Sequence, residues 1–383
     1  MGVTVTNGVV LGSGLTFSTS SGITPPSGPG RLWSWGSDSN GQLGLNSNIA
    51  RSSPVLIAAT SWNSFGCGQT HAVAVTTTGT LWCWGNNNKG QLGQNNLTDR
   101  SQSVQVGVGT NWLEAGVGGY NISAATRTDG TLWMWGSNNN GQLGLNNTID
   151  RSSPVQVGSL TNWSKVACGG YHTLAVKTDG TLWAWGSNST GQLGLNLSSA
   201  VFRSSPVQVG AGTNWSQVAT FSGFNLAIKT DGTLWAWGSN THGQLGLGDT
   251  INRSSPVQVG AGTNWLNASV DVFGAAVTKT DYSMWVWGRN HVGQLGLNDT
   301  NSRSSPVQLG SLTNWFKPAV GYRWAVAVKT DGSLWAVGGA VSAGQLPIND
   351  SLTVRSSPIQ VGSLLTWIEP RAGSAFGMAR RQV

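Results

Sequence analysis

The chain has 383 residues, of which only 9% are charged, 55 are glycine and 21 are tryptophan, and its formal net charge is +7. The basic residues are not clustered and no exposed aromatics interleave with them, which argues against nucleic acid as a partner. Three cysteines without C-x-x-C spacing argue against a disulfide framework and a zinc site. No segment is long enough to span a membrane, so no membrane insertion is expected.

Residues 1–30 differ from the rest of the chain. Their first half alternates apolar and small polar residues like a strand, and their second half, ending in PPSGPG, has the composition of a linker. Neither a basic start nor a continuous apolar stretch is present, so no secretory signal is predicted. Two interpretations remain for residues 1–30, a disordered tail or an anchor that attaches residues 31–383 to something larger.

A motif close to LWxWG recurs seven times, 49 to 52 residues apart, with Met284 in place of leucine in the sixth copy and Val337 in place of the second tryptophan in the seventh. Its first tryptophan lies at Trp33, Trp82, Trp133, Trp183, Trp235, Trp285 and Trp335. Near-equal periods of this length indicate one supersecondary unit that buries its apolar face by packing against its neighbours.

Each unit contains four short runs rich in β-forming residues, typified by VAxGxx, HTLAVK, TLWAWG and SPVQV and named here strands A, B, C and D. Gly, Asn, Asp, Ser and Pro separate them, and Thr-Asp-Gly between strands B and C predicts a tight hairpin turn. Four strands in each of seven units predict an all-β, seven-bladed β-propeller with four antiparallel strands per blade.

The ends of the chain predict how the ring closes. The first unit begins at Arg31 with strand C, and the last unit finishes with strands A and B, from Trp367 to Arg381. The C-terminal strands would then complete the blade that the N-terminal strands start, which removes exposed sheet edges.

The strings WGSNNNGQLGLN (135–146), ACGGYHTLAVKTDGTLWAWG (167–186) and RSSPVQV resemble the regulator of chromosome condensation repeat. The resemblance extends over residues 31–381 and implies a seven-bladed propeller that presents loops to a protein partner. The family includes a nucleotide exchange factor for a small GTPase, light-signalling proteins and an inhibitor of β-lactamases. The exchange factor uses a wedge inserted into one blade, and the even periods of this chain leave no room for a comparable insertion.

The order A, B, C, D predicts that the A–B and C–D loops share one face, named here the loop face, and that the B–C and D–A connections share the other, the turn face. The turn face repeats almost unchanged, whereas the A–B loops vary and carry aromatic residues. Because Tyr, Trp and Arg dominate binding energies at interfaces, the loop face is the predicted binding surface. The candidate binding residues are Trp324, Tyr322, Arg323, Tyr120, Tyr171, Phe224, Phe273 and Phe376.

An alternative is that these aromatics plug the central channel. Trp324 is the one tryptophan outside the repeated positions, and we expect Trp324→Ala and Tyr322→Ala to weaken binding with little effect on stability.

His71 and His172 are expected to be structural residues. His242 and His291 lie in adjacent units, but no further ligand at matching spacing completes a metal site.

Catalysis finds little support. Asp271 is the only acid in an A–B loop, and no nucleophile, phosphate-loop or metalloprotease motif is present. The predicted function is therefore a non-enzymatic binding propeller without a cofactor.

Residues 1–30 resemble the short Gly/Thr/Ser/Val openings of phage structural proteins, which favours a virion-associated or host-attachment protein. Its partners would be other virion proteins, through residues 1–30, and a host-surface protein or glycan, through the loop face. The localisation would be the virion, with the bacterial cytoplasm or secretion by a non-classical route as alternatives. A bacterial protein-binding scaffold or enzyme inhibitor, and a polysaccharide-degrading enzyme, are the alternative functions.

Overall fold

A computed structural model of the chain describes residues 25, 27–197, 201–339, 344–349 and 354–382. The regular structure of these residues consists of 28 β-strands. The predicted anchor, residues 1–30, lies mostly outside the described residues. Within the described part of the chain, no helix is long and apolar enough to cross a membrane.

In chain order the strands are β1 (Arg31–Gly36), β2 (Arg51–Leu56), β3 (Trp62–Cys67), β4 (His71–Thr76), β5 (Leu81–Gly85), β6 (Arg100–Gln105), β7 (Trp112–Val117), β8 (Ile122–Arg127), β9 (Leu132–Gly136), β10 (Arg151–Gln156), β11 (Trp163–Cys168), β12 (His172–Lys177), β13 (Leu182–Gly186), β14 (Arg203–Gln208), β15 (Trp215–Thr220), β16 (Phe224–Lys229), β17 (Leu234–Gly238), β18 (Arg253–Gln258), β19 (Trp265–Val270), β20 (Gly274–Lys279), β21 (Met284–Gly288), β22 (Arg303–Gln308), β23 (Trp315–Gly321), β24 (Trp324–Lys329), β25 (Leu334–Gly338), β26 (Arg355–Gln360), β27 (Trp367–Ala372) and β28 (Phe376–Arg381).

The strands form seven antiparallel sheets of four, which confirms the predicted seven-bladed propeller. Blade 1 has the order β27-β28-β1-β2, and blades 2 to 7 each take the next four strands in turn, beginning with β3. In blade 1, Arg31 of β1 lies opposite Arg381 of β28, and Gly36 lies opposite Phe376. The C-terminal strands therefore complete the N-terminal blade, as the repeat phase predicted.

Strand A of each blade contacts strand A of both neighbouring blades, so the seven A strands surround the central axis. The A–B loops consequently surround the mouth of the channel on the loop face. The C–D loops lie beside them. Thr190 of the C–D loop in blade 4 donates a hydrogen bond from its hydroxyl to the carbonyl of Gly223, in the A–B loop of blade 5, at 3.1 Å.

The repeated tryptophans build the packing of each blade. In blade 4, Trp163 of strand A and Trp183 of strand C form an edge-to-face pair with centroids 6.2 Å apart. The ammonium group of Lys177 lies 3.7 Å from the Trp183 centroid. The Trp183 indole donates to the hydroxyl of Thr181, which in turn donates to Asp179 of the hairpin turn. Thr-Asp-Gly therefore fixes the tryptophan ring as well as the turn.

The second tryptophan of strand C packs against the preceding blade. The Trp185 indole, for example, donates to the carbonyl of Gln142 in the C–D loop of blade 3 at 2.9 Å. Blade 7 lacks this ring because Val337 replaces it, and the facing strand of blade 6 begins with Gly274, which has no side chain. A largely apolar cavity of about 30 Å³ lies between blades 6 and 7, with Gly274 and Val337 among its lining residues.

Candidate functional site

The eight predicted binding residues fall into two groups. Tyr120, Tyr171, Phe273, Tyr322 and Arg323 lie in A–B loops and are partly or well exposed. Phe224, Trp324 and Phe376 are the first residues of β16, β24 and β28, and each is 0% exposed. These three side chains pack between blades and do not reach the surface, so direct contact with a partner is excluded for them in this structure.

Trp324 occupies a repeated position after all. His71 and His172 begin β4 and β12 in the same way, and both are also fully buried. The Trp324 ring packs edge-to-face on Trp35, with centroids 6.4 Å apart. A Cβ added at Gly377 would lie only 2.6 Å from both rings. The expectation that Trp324→Ala spares stability is therefore wrong, because the ring fills the core between blades 7 and 1.

The exposed aromatics form two groups at the mouth. Tyr120 and Tyr171, from adjacent blades, stack with centroids 5.1 Å apart and an interplanar angle of 20°. The Tyr120 hydroxyl is hydrogen-bonded to Ser222, which lies in the A–B loop of blade 5, two blades further round the ring. Gly170 makes this stack possible, since a Cβ at that position would lie 2.4 Å from the Tyr120 ring.

The second group, named here the mouth cluster, comprises six side chains of blades 5 to 7 on the loop face: His242, Phe273, Arg289, His291, Tyr322 and Arg323. Their rings pack in a row. The Phe273 centroid lies 4.5 Å from that of His242 and 6.2 Å from that of Tyr322.

Both arginines of the mouth cluster lie over aromatic rings. The guanidinium carbon of Arg289 is 5.0 Å from the Phe273 centroid, and that of Arg323 is 5.0 Å from the Tyr322 centroid. Because these rings support the guanidinium groups, the mouth cluster presents aromatic surface and positive charge together.

Tyr120 and Tyr322 belong to blades 3 and 7, on opposite sides of the ring, yet they are close enough to interact electrostatically. Burial raises the pKa of Tyr120, and the proximity of Tyr171 and Tyr322 raises it further. The hydrogen bond with Ser222 lowers this pKa. The two aromatic groups therefore border the same mouth of the channel.

Asp271 positions the mouth cluster from beneath. Its Oδ1 accepts hydrogen bonds from the backbone N–H of Phe273 at 2.8 Å and of Gly274 at 2.5 Å. The carboxylate also accepts the backbone N–H of Arg323, in the adjacent blade. Arg323 has a φ of 70°, a left-handed conformation that is uncommon outside glycine and that this contact supports.

Asp271 is 3% exposed, and its carboxyl oxygens are engaged by main-chain donors. Burial raises its pKa to about 7, although the hydrogen bonds from Phe273, Gly274 and Arg323 act in the opposite direction. This geometry gives the carboxyl a role in holding two neighbouring A–B loops together.

His242 and His291 do approach each other, as their adjacent units suggested. Burial lowers the pKa of both, and the positive charge of Arg289 lowers each further. A nearby guanidinium opposes a metal cation, and no group of three or more potential metal ligands occurs in the described residues. The structure gives this pair a place in the mouth cluster instead.

Arg289 was not among the binding residues predicted from the sequence. It follows Trp-Gly in strand C, a position where four other units have serine: Ser37, Ser137, Ser187 and Ser239. A departure from the repeat consensus, on a strand whose end faces the mouth, was the available signal.

The comparisons with known proteins agree with this architecture. The family model described as the RCC1-like domain matches residues 27–275, and the model of the regulator of chromosome condensation (RCC1) repeat matches residues 283–328. The chain belongs to the RCC1-like domain family. The seventh blade and the closing strands β27 and β28 lie largely beyond the residues that these family models match.

Relatives of this RCC1-like chain include the ultraviolet-B receptor UVR8 of Arabidopsis thaliana, 30% identical over 153 residues, which are 38% of this chain and 35% of UVR8. The human E3 ubiquitin-protein ligase HERC2 is 27% identical over 223 residues, 56% of this chain and 5% of HERC2. The matches thus span about a third or less of these relatives.

Solved structures share the fold. Human WBSCR16 superimposes with a TM-score of 0.81 at 22% identity, covering 92% of this chain and 99% of that one. Prp20p of Saccharomyces cerevisiae superimposes with a TM-score of 0.80 at 20% identity, covering 94% of this chain and 93% of the Prp20p chain.

Proposed function

We propose that this RCC1-like propeller is a non-enzymatic binding protein that docks a protein partner on its loop face, with the mouth cluster at the centre of the contact. The observation that carries the proposal is the mouth cluster itself. Six aromatic and basic side chains from three blades converge there, and Asp271 holds two of their loops in place. Preorganised aromatic and arginine side chains supply most of the affinity at protein interfaces.

Family membership supports the same conclusion. RCC1-like propellers are associated with protein binding and regulation, and Prp20p, which shares the fold, binds Gsp1p and histones. The mouth is also the place where the otherwise uniform ring differs most from blade to blade, so it is the surface best suited to select one partner.

Site-specific photo-crosslinking tests the proposal. Tyr171 on the loop face and Leu160 on the turn face belong to neighbouring parts of blades 3 and 4 and are 47% and 45% exposed. A photoreactive residue at position 171 should trap one defined partner in the native lysate, whereas the same residue at position 160 should not. Equal trapping at both positions, or trapping at position 160 alone, would refute the assignment of the loop face.

Loss-of-contact variants complete this test. Tyr322→Ala should reduce the yield of the cross-link from position 171, because it removes a partly exposed ring from the centre of the surface. Leu312→Ala is the matched control, since Leu312 is 50% exposed on the turn face. A partner that is retained equally by both variants does not use the mouth cluster.

A narrower proposal is that the partner is a host-surface protein or glycan and that the propeller is a virion component anchored through residues 1–30. The sequence of residues 1–30 is its only support. Co-sedimentation of the protein with phage particles, lost when residues 1–30 are deleted, is the expected result. A protein found free of particles would contradict the virion assignment while leaving the binding function of the loop face intact.

A further inference from the structure

The mouth cluster concentrates positive charge without a matching acid. Arg289 and Arg323 form no ion pair within the described part of the chain. His291 interacts electrostatically with both arginines and with His242. Because the lowered pKa values leave His242 and His291 uncharged at neutral pH, Arg289 and Arg323 carry the positive charge at this point of the mouth.

The acids that could compensate this charge are engaged elsewhere. Asp249 and Asp299 each pair with an arginine four residues later, Arg253 and Arg303, at 2.6 Å. Asp271 lies beneath the mouth cluster, but its oxygens accept main-chain N–H groups and burial raises its pKa to about 7. Near neutral pH it therefore supplies less than a full negative charge.

The arginine geometry leaves donors available. A guanidinium group that lies over an aromatic ring keeps its N–H groups directed to the side, where they can bind the two oxygens of a carboxylate. In Arg323 the Nε atom is buried and has no hydrogen-bond partner within the described residues. Because Nε is buried, the donors left for a carboxylate are the Nη groups of this half-buried side chain.

We infer that the mouth cluster is a binding site for carboxylate side chains, supplied by an acidic segment of the protein partner. This inference rests on the proposed function and specifies the partner's chemistry. Phe273 and Tyr322 contact the apolar parts of that segment, while Arg289 and Arg323 bind its carboxylates.

Other occupants fit the observations less well. Nucleic acid needs a basic stripe that follows successive phosphates, whereas these cations are confined to one side of the mouth. A second copy of the chain, docked mouth to mouth, would place the same arginines next to one another. Each copy also carries a net charge of +7, so the two copies would repel each other. An acidic peptide segment matches both the charge and the small extent of the site.

The test is isothermal titration of the full chain with hexaglutamate, with hexaglutamine as the uncharged peptide. The variant combines Arg289→Ser, the residue of four other units at that position, with Arg323→Asn. Asn121 occupies the position of Arg323 in blade 3 with a φ of 49°, so asparagine suits the local backbone. The control, Arg151→Gln with Arg203→Gln, removes the same charge from the outer strands.

Hexaglutamate should bind the native chain one to one at low ionic strength, and hexaglutamine should not. The mouth variant should weaken this binding about tenfold or more, and the control should change it less than about twofold. Thermal unfolding establishes that both variants are folded. If the double variant is not, Arg289→Ser alone provides the same comparison.

Absence of hexaglutamate binding, or equal weakening by the mouth variant and the control, would overturn the inference. Inorganic phosphate that binds as tightly as hexaglutamate would show a general anion site instead of a peptide site. Tighter binding of an oligothymidylate would indicate nucleic acid. A partner still trapped at position 171 in any of these cases would leave the proposed function standing.

Discussion

Glu369 and Arg380 form a buried ion pair in the blade that closes the ring, with Oε2 and Nη2 2.9 Å apart. The two residues are directly opposite each other in β27 and β28. Arg380 also donates hydrogen bonds to the backbone carbonyls of Trp62 and Asn63 in blade 2. Glu369 forms a second ion pair with Lys317 in blade 7, at 3.4 Å. One pair therefore links the closing blade to both of its neighbours.

Glu369→Gln should destabilise the protein by about 3–5 kcal/mol, because it leaves Lys317, Arg371 and Arg380 without their common counter-charge. Glu114→Gln is the matched control. Glu114 is likewise the third residue of a strand A and pairs with Lys165, but that pair is exposed, with side-chain accessibilities of 33% and 44%. Its loss should cost less than about 1 kcal/mol. Urea denaturation measures both, and equal costs would contradict the role given to ring closure.

The same carboxylate predicts an acid-induced loss of stability. Burial alone would raise the pKa of Glu369, but Arg371, Lys317 and Arg380 together lower it from 4.5 to about 2. A lowered folded-state pKa means that the stabilisation is complete above the unfolded value and is lost as pH falls from about 4.5 towards 2. Unfolding free energies of the native chain and Glu369→Gln should converge over this range. A difference that is independent of pH would contradict the assignment.

Trp324→Ala should destabilise the protein by about 3–5 kcal/mol, since it empties the space between blades 7 and 1. Trp324→His should restore part of the loss, because His71 and His172 occupy the same repeat position. Tyr171→Ala, at an exposed A–B loop position, should cost only about 0.5–1.5 kcal/mol, through loss of the stack with Tyr120. Thermal unfolding distinguishes these outcomes, and a stable Trp324→Ala protein would refute the buried role.

Gly274→Ala should stabilise the protein by about 0.4–1 kcal/mol through reduced freedom of the unfolded chain. A Cβ at Gly274 would meet its nearest neighbours, the Trp287 carbonyl and Asp271, at 3.4 and 3.5 Å, which are ordinary contacts. Gly377→Ala is the contrasting control, because its Cβ would lie 2.6 Å from two indole rings. The melting temperature measured by calorimetry should therefore rise for Gly274→Ala and fall for Gly377→Ala.

Asp271→Asn should remove a pH dependence near neutrality. A folded-state pKa of about 7, raised by burial from 3.8, means that Asp271 stabilises the protein most below about pH 4 and less as pH rises through 7. Asparagine keeps an Oδ1 acceptor for the main-chain donors. The variant should therefore gain stability relative to the native chain between pH 5 and 8, as unfolding at a series of pH values (~5, 6, 7 and 8) measures. Parallel pH profiles would show that Asp271 is ionised throughout.

The fold was predictable because its determinants recur. Seven copies of the tryptophan motif give the blade count, Thr-Asp-Gly gives the hairpin, and the phase of the first and last units gives the closure at β1 and β28. Each of these signals lies in a short stretch of sequence. A single copy would not distinguish a strand from other structures, but seven copies of the same pattern do.

The site was harder to predict because it depends on which loop residues turn inward. Trp324 and Tyr322 are two residues apart, yet one is buried between blades and the other lies at the mouth. The repeat register that places Trp324 with His71 was present in the sequence. The convergence of Arg289 with Arg323 was not, since it arises from packing between blades.

The seam between the chain ends falls inside blade 1, between its two central strands, where Arg31 meets Arg381. Each of the other six blades is built from four consecutive strands, so all of its strand pairing joins residues that are near in sequence. Blade 1 alone joins segments about 350 residues apart and has the largest entropic cost of loop closure, so we expect it to be the last sheet to assemble and the first to open.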